Sequence, residues 1–429
     1  MRAGRQAQQQ GQRGLTHIAA AVAAQFVEQG FVIGAQAFGQ YRNQIGAFAG
    51  RQFAERRFEP RAGGGRIARI TLAETEGYLG EGASIEDVTE MCYTLGRACA
   101  STAMIVAMHQ TKVACLVRHG RGNGWLEALM RRIAREQLLL ASSTTEGNNG
   151  GNIRSSAAAV DVTDAGVSLL RDATVISYGA EADGVMTIAR RAADAASSDQ
   201  VLAVFTKEDY TLTPTLGWET LGMRGTRSTG FELRARGVVD QVFAEPYDRI
   251  HAQTMTPVAH LSWSSAWAGI AASSVERAQA FIRKAARGAG GQMPPGAKHY
   301  NSAKASLIKL RALIAAHLDA YAARQFDERA LSSLDFQSSI NLLKVEASEL
   351  AVDTVMSAMR ACGLSGYRND GDFTIGRHLR DVLSAPLMIN NDRILTNIPL
   401  HRELMVDAKF MEGGTNIHYL EKWMAAHNR

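Results

Sequence analysis

Aspartate and lysine are missing from the first part of the sequence. The first Asp is Asp87, the first Lys is Lys112, and no Ser precedes Ser84. Residues 1–71 carry ten Arg against three Glu, a local charge of +7, so the formal net charge of +5 leaves about −2 for the other 358 residues. The basic balance belongs to one tract and argues against nucleic-acid binding by the chain as a whole. Cysteine is scarce: Cys92, Cys99, Cys115 and Cys362 form no C-x-x-C pair and have no His at metal-ligand spacing. That excludes a zinc ribbon or a disulfide framework and fits a reduced, cytoplasmic protein. No run approaches 18 apolar residues, so no membrane span is expected, and the start does not resemble a secretory signal. No G-x-G-x-x-G follows a strand-like run, and no nucleophile elbow supports Ser-His-Asp hydrolysis. His109 and His119 stand ten apart, too far for one helical metal pair, so no metal is expected.

What the first tract does contain is Gln, Gly and Arg, with eleven Gln in residues 1–71. Such a mix buries little apolar surface, and residues 1–15 are expected to be disordered. The composition changes abruptly near residue 75. Residues 1–75 are therefore set apart as an atypical tract, foreign to the fold that follows, as a misread frame or start site would make it. From Ser84 the pattern becomes helical: Ser84 with Asp87 resembles a capping arrangement, and Val88, Met91, Cys92 and Leu95 follow at i, i+3, i+4, i+7. A second helix closes at Gly120 and a third covers Gly124 to Gln137. Short β-rich runs separated by Gly, Asp and Ser then fill about 138–247. Beyond Pro257 the pattern predicts long helices over 262–288, 302–325, 333–361 and 375–397. The order helical, β, helical predicts an α+β chain: a helical part at 76–137, a β-barrel at 138–250, a helical bundle at 251–400 and an extension at 401–429.

Three stretches could carry chemistry. "ASSTTEGNNGGNIRSS" (141–156) offers free backbone N–H groups and short donors to a polar planar ligand, or is a surface loop. "ATVISYGAEAD" (173–183) places Ser177 in an apolar strand, where its hydroxyl needs a partner; a neighbouring carbonyl would serve. "LGWETLGMRGT" (216–226) marks a tight turn that presents an Arg, to a ligand or to solvent.

Taken in order, these stretches resemble motifs of the acyl-CoA dehydrogenase superfamily of flavoproteins. "TTEGNNGGN" is similar to its T-E-P-x-A-G-S loop, "VISYGAEAD" to its W-I-T-N-G-x-x-A-D strand and "LGMRGT" to its L-G-M-R-G-S/T turn. "MRACGLSGY" (359–367) and "IGRHLRDVLSAPLM" (375–388) resemble two further motifs, and the resemblance covers about residues 79–398. It implies an acyl-CoA dehydrogenase-like fold with a helical N-terminal part, a middle β-barrel and a C-terminal four-helix bundle. It also implies FAD, or FMN, between barrel and bundle in a homotetramer. Thr145, beside Thr144, would bond the pyrimidine edge of the flavin. Ser177 would donate to flavin N5, with Val175 and Ile176 against the ring. Gly363 and Gly366 would let a neighbouring subunit's backbone approach. The chain departs from the pattern at Gly147, Gly151 and Val175, and "RKAARGAGGQMPPGAKHY" lacks the usual signature for the dinucleotide pyrophosphate.

One absence bears on the reaction. No carboxylate stands between Asp381 and Asp392, and Ile389 falls where the family places its catalytic Glu. Dehydrogenation of an acyl thioester CH–CH group needs a base within hydrogen-bond reach of the α-proton. The helix "HLSWSSAWAGIAA", where some members carry the base instead, also has no acid. Asp392 and Glu412 are the substitutes. The resemblance still favours an acyl-CoA substrate and an electron acceptor. The alternatives are a two-component monooxygenase, fed by a flavin reductase and working through a flavin hydroperoxide, or a non-catalytic binding member. For the monooxygenase, His109 on an apolar helix is expected to face the flavin, its other reading being a satisfied core histidine.

Overall fold

In a computed structural model the chain is described over residues 83–147, 153–391, 394 and 407. The atypical 1–75 tract, Asp392, Glu412 and the 401–429 extension other than Asp407 lie outside the described residues.

Helix α1 (Ile85–Ala98) starts at the expected cap: the Ser84 hydroxyl accepts from Asp87 N–H, and the Asp87 carboxylate accepts from Ser84 N–H. Helix α2 (Ala100–His119) is apolar on nearly every face and is buried on nearly every face. By length and composition it could cross a membrane, but 78% of its most apolar window is committed to the protein's own core. Helix α3 (Gly124–Glu136) is capped by the Asn123 side chain, which accepts from Trp125 and Leu126 N–H, and buries one stripe of Leu126, Leu129, Met130 and Ile133.

The middle of the chain forms two sheets. Strands β1 (Leu140–Ser143), β4 (Gly184–Arg190) and β5 (Gln200–Thr206) make one, in the order β1-β4-β5 with β1 and β4 parallel. Strands β2 (Val160–Thr163), β3 (Gly166–Ile176), β7 (Thr229–Gly237) and β6 (Tyr210–Leu216) make the other, antiparallel throughout. The first sheet is buried on both faces, by α2 and α3 on one side and by the second sheet on the other, which is why β5 reads "QVLAVFT" without alternation. The expected barrel is thus two packed sheets, tied by an isolated bridge between Glu146 and Ala173.

The C-terminal part begins with α4 (Tyr247–Ile250), a π-helical turn (His251–Met255) and α5 (Thr256–Gly288), one continuous rod. Helices α6 (Ala297–Ala322), α7 (Glu328–Leu331), α8 (Leu334–Cys362), α9 (Leu364–Tyr367) and α10 (Gly376–Val382) follow. Three of the four expected long helices are present, and α5, α6 and α8 share one core around Trp267, Leu310 and Leu343. The helix expected over 375–397 is shorter: α10 ends at Val382 and turns run from Leu383 to Asn390. Pro386 cannot donate to a helix and restrains its predecessor, so the run breaks there.

Candidate functional site

A cavity of about 960 Å³ lies between α2, the exposed edge of the sheets and the α5–α10 face. Helix α2 contributes Met104, Met108, Thr111 and Lys112, which share one face at i, i+4, i+7, i+8. The sheets contribute Thr144, Thr145, Thr174, Val175 and Ser177, and the rod contributes His251, Met255, His260 and Trp263.

A β-bulge builds the sheet side. The β3–β7 register shifts between Ala173 and Ile176, so Thr174 and Val175 both reach the cavity and the following Ile176 turns into the core. Ile176, expected against the flavin ring beside Val175, is fully buried among sheet side chains and does not line the cavity. The loop base is clamped by a buried pair: the Glu146 carboxylate meets Arg171 Nη1 at 3.1 Å and accepts from Ala157 and Ala158 N–H. Next to that clamp, Thr145 Oγ1 is buried with no partner among the described residues, although it lines the cavity. Thr144 lines it as well.

Ser177 ends a chain of hydroxyls. Its Oγ lies 2.8 Å from Ser228 Oγ, which lies 2.8 Å from Thr226 Oγ1, which lies 2.8 Å from the Met223 carbonyl. A carbonyl only accepts, so Thr226 donates to Met223. Ser228 must then donate to Thr226, and Ser177 to Ser228. The Ser177 proton points away from the cavity and its lone pairs face in. In this arrangement Ser177 Oγ has lone pairs left to accept a hydrogen bond, whereas the resemblance implies that it donates one.

Two motifs far apart in sequence turn out to be one contact. Met223 N–H donates to the Asp381 carboxylate at 2.8 Å, joining the 216–226 turn to α10. A Cβ on Gly222 would lie 2.0 Å from the Arg380 carbonyl oxygen, so only glycine allows this approach. Burial raises the Asp381 carboxyl above its ordinary value, opposed by the Met223 N–H and by Arg377 and Arg380.

His109 does not line the cavity. Its Nδ1 accepts from Leu140 N–H at 3.1 Å, and burial pushes its pKa down to about 4, so it joins α2 to β1 as a neutral core group. The histidines on the cavity are His251 and His260, which sequence reasoning passed over because it looked on that helix for an acid. His260 Nδ1–H donates to the Ile340 carbonyl at 3.0 Å, which leaves Nε2 as a lone-pair acceptor with no partner among the described residues. Burial holds this imidazole neutral, with a pKa pushed down to about 4.

Ile389 lines the cavity with φ of 49°, a left-handed conformation that β-branched residues rarely adopt. The buried Lys344 ammonium holds this segment, donating to the Ile389 carbonyl at 2.9 Å and to Asn391 Oδ1 at 2.7 Å. Gly363 and Gly366 lie away from the cavity, at the end of α8. Gly363 has φ of 56°, and a Cβ on Gly366 would lie 2.6 Å from Cys362 Cβ. No carboxylate lines the cavity among the described residues, and those residues hold no group of three metal-ligating side chains.

Comparison with known proteins agrees with this architecture. Residues 252–398 match the family described as acyl-CoA dehydrogenase, C-terminal domain. FMN-bound TdsC, the dibenzothiophene monooxygenase of Paenibacillus sp. A11-2, is similar with a TM-score of 0.70 and 16% identity, over 91% of this chain and 96% of that one. A nitrososynthase from Micromonospora carbonacea var. africana is similar with a TM-score of 0.69 and 18% identity, over 90% of this chain and 94% of its own. Butyryl-CoA dehydrogenase from Megasphaera elsdenii gives 0.62 and 16%, over 77% and 85%. The described residues thus have an acyl-CoA dehydrogenase-like fold, with the family match confined to residues 252–398. Separately, 46 residues are 50% identical to biotin carboxylase of Haemophilus influenzae, 11% of this chain and 10% of that protein's length. So short a match carries no activity over.

Proposed function

We propose that the chain is a flavin-dependent oxidoreductase of the two-component kind, taking reduced flavin from a separate reductase and oxygenating a small molecule in the cavity. The observation that carries this reading is the polarity of Ser177. Its lone pairs face the cavity, which suits the N5–H of a reduced flavin, whereas N5 of an oxidised flavin is itself an acceptor and would meet another acceptor. The unpartnered Thr145 hydroxyl, on the same cavity, fits a polar edge of that ring. At about 960 Å³ the cavity is near the upper end of common ligand pockets, with room for a tricyclic ring and a second small molecule.

Bound there in reduced form, a flavin supplies activation of dioxygen and transfer of one oxygen atom to the substrate, the second leaving as water. The chain's own residues do the rest. Val175 would lie against the ring, Met104, Met108 and Trp263 would keep water out, and His260 Nε2 would accept a hydrogen bond from a donor on the substrate. With its pKa near 4, His260 orients more than it deprotonates.

Dehydrogenation of an acyl-CoA is the second reading, favoured by the family that residues 252–398 match. It needs a carboxylate where Ile389 stands, and Asp392 or Glu412 would have to supply one. Purified protein is mixed with reduced FMN, oxygen and a panel of aromatic substrates, and separately with oxidised flavin and acyl-CoAs without oxygen. Oxygen-dependent product supports the monooxygenase. Anaerobic bleaching of the flavin band by an acyl-CoA sinks it, and survival of that bleaching in Asp392→Ala and Glu412→Ala would remove both substitute bases. Neither activity, with no flavin retained, leaves a binding protein.

Tetrameric assembly and a cytoplasmic location belong to the same reading. The tetramer is supported by Leu364 and Tyr367, which stand 72% and 74% exposed beside Gly363 and Gly366, where a neighbouring subunit is expected. Light scattering at monomer mass would remove it.

A further inference from the structure

We propose that Lys112, on the same cavity wall as His251 and Arg154, forms a subsite for an anionic oxygen group of the substrate, so that the cavity takes an organic acid with a planar apolar body. This deepens the preceding reading and rests on it only in treating the cavity as the place where substrate binds.

Lys112 is 96% buried and lines the cavity, 4% of it remaining accessible. The one polar contact of its ammonium among the described residues is Met255 Sδ at 3.5 Å, and a thioether is a weak acceptor. The same fold shows what a satisfied buried lysine looks like. The Lys344 ammonium donates to the Ile389 carbonyl and Asn391 Oδ1 and lies 3.5 Å from the Pro386 carbonyl. Lys112 has no such set.

A buried ammonium without an acceptor is costly, and two outcomes relieve it: loss of the proton or arrival of an anion. Burial pushes its pKa down only to about 8, so at neutral pH it still carries the charge. No carboxylate among the described residues lines the cavity to balance it, and Arg154 lines the cavity too. His251 completes the corner: burial, then Arg154, His260 and Lys112, hold its pKa well below the ordinary value, so it is neutral and adds no charge to that of Lys112. Beside this corner the walls are apolar and rich in sulfur. Met104, Met108, Met255 and Trp263 suit an aromatic body, since thioethers pack well against ring edges.

The test is calorimetric titration of the full chain, without added flavin, with benzoate, phenylacetate and cinnamate and with their uncharged amides. The wild type is expected to bind at least one acid about ten- to a hundredfold more tightly than its amide. Lys112→Met, nearly isosteric and free of the desolvation cost, is expected to abolish that preference while leaving amide binding in place. No acid preferred over its amide in the wild type overturns the proposal, whatever the variant does. So does an acid preference that survives Lys112→Met. A third arm separates the substrate from the cofactor as the source of the anion: if Lys112→Met weakens FMN but neither riboflavin nor the acids, the group held is the flavin phosphate and the substrate assignment falls. Flavin retention is measured on the same preparation. Acids preferred over amides by a protein that never binds flavin would keep the subsite and sink the flavin reading; flavin bound with no such preference would do the reverse.

Discussion

Replacing Gly222 by alanine is the sharpest probe of how the site is held. The added Cβ would lie 2.0 Å from the Arg380 carbonyl oxygen, 2.3 Å from its carbonyl carbon and 2.7 Å from Asp381 N, all backbone atoms that no rotamer change can move. The turn must withdraw about 1.4 Å to reach the 3.4 Å of ordinary contact. Overpacking of this kind costs about 1–3 kcal/mol. The withdrawal also stretches the 2.8 Å bond from Met223 N–H to the Asp381 carboxylate, a charge-assisted bond worth roughly 1.5–3 kcal/mol. The two effects share one movement, so a loss of about 3–4 kcal/mol is expected rather than their full sum. Gly217→Ala is the control, because nothing lies within 4 Å of its added Cβ. Thermal and urea unfolding of both variants are compared with wild type, the control staying within about 0.5 kcal/mol. A loss below about 1 kcal/mol for Gly222→Ala would refute the view that this approach fixes the turn on α10.

Other outcomes follow from the same geometry. Ser177→Ala should weaken reduced FMN about tenfold more than oxidised FMN, because the lost group is an acceptor; equal weakening of both forms in a fluorescence titration would contradict the hydroxyl-chain argument. Lys112 binds fewer protons folded, with a pKa near 8, than unfolded, near its ordinary 10.5. Its share of the stability therefore rises as pH climbs through that window, and Lys112→Met should flatten the curve there; parallel curves of Tm against pH for the two proteins would speak against a buried ammonium. Lys344→Met strips the donor from the Ile389 carbonyl and Asn391 Oδ1. It should cost about 2–4 kcal/mol and raise hydrogen exchange over 386–391. Unchanged exchange in that segment would show that something else holds the left-handed turn.

The helices were legible because their causes are local. Ser84 with Asp87, and the 3.6-residue spacing of Leu126, Leu129, Met130 and Ile133, carry their own caps and faces. The extent of the last helix was misjudged because periodicity ran on past Pro386, whose missing N–H ends it. Pairing of strands into two sheets, and the bulge that sends Ile176 inward, depend on partners up to 70 residues away, as in Val167 with Gly237, and the contact of Met223 with Asp381 spans 158. Motif order located Thr145, Ser177 and the 216–226 turn on one cavity, but not the direction of the hydroxyl chain. His109 was misplaced for a physical reason: an apolar helix buried all round gives no sign of which flank meets the cavity, and Lys112, three residues later, occupies it.

The π-helical turn at His251–Met255 holds one residue more than an α-turn would. Five residues of π-winding and four of α-winding each make little more than one revolution, so deleting a single residue there would restore ordinary winding and leave α4 facing nearly as before. The change would fall on the side chains inside the turn, which include His251 and Met255 of the cavity wall. A residue lost at that point is absorbed where it falls, and the helices on either side keep their seats while one corner of the cavity is remade.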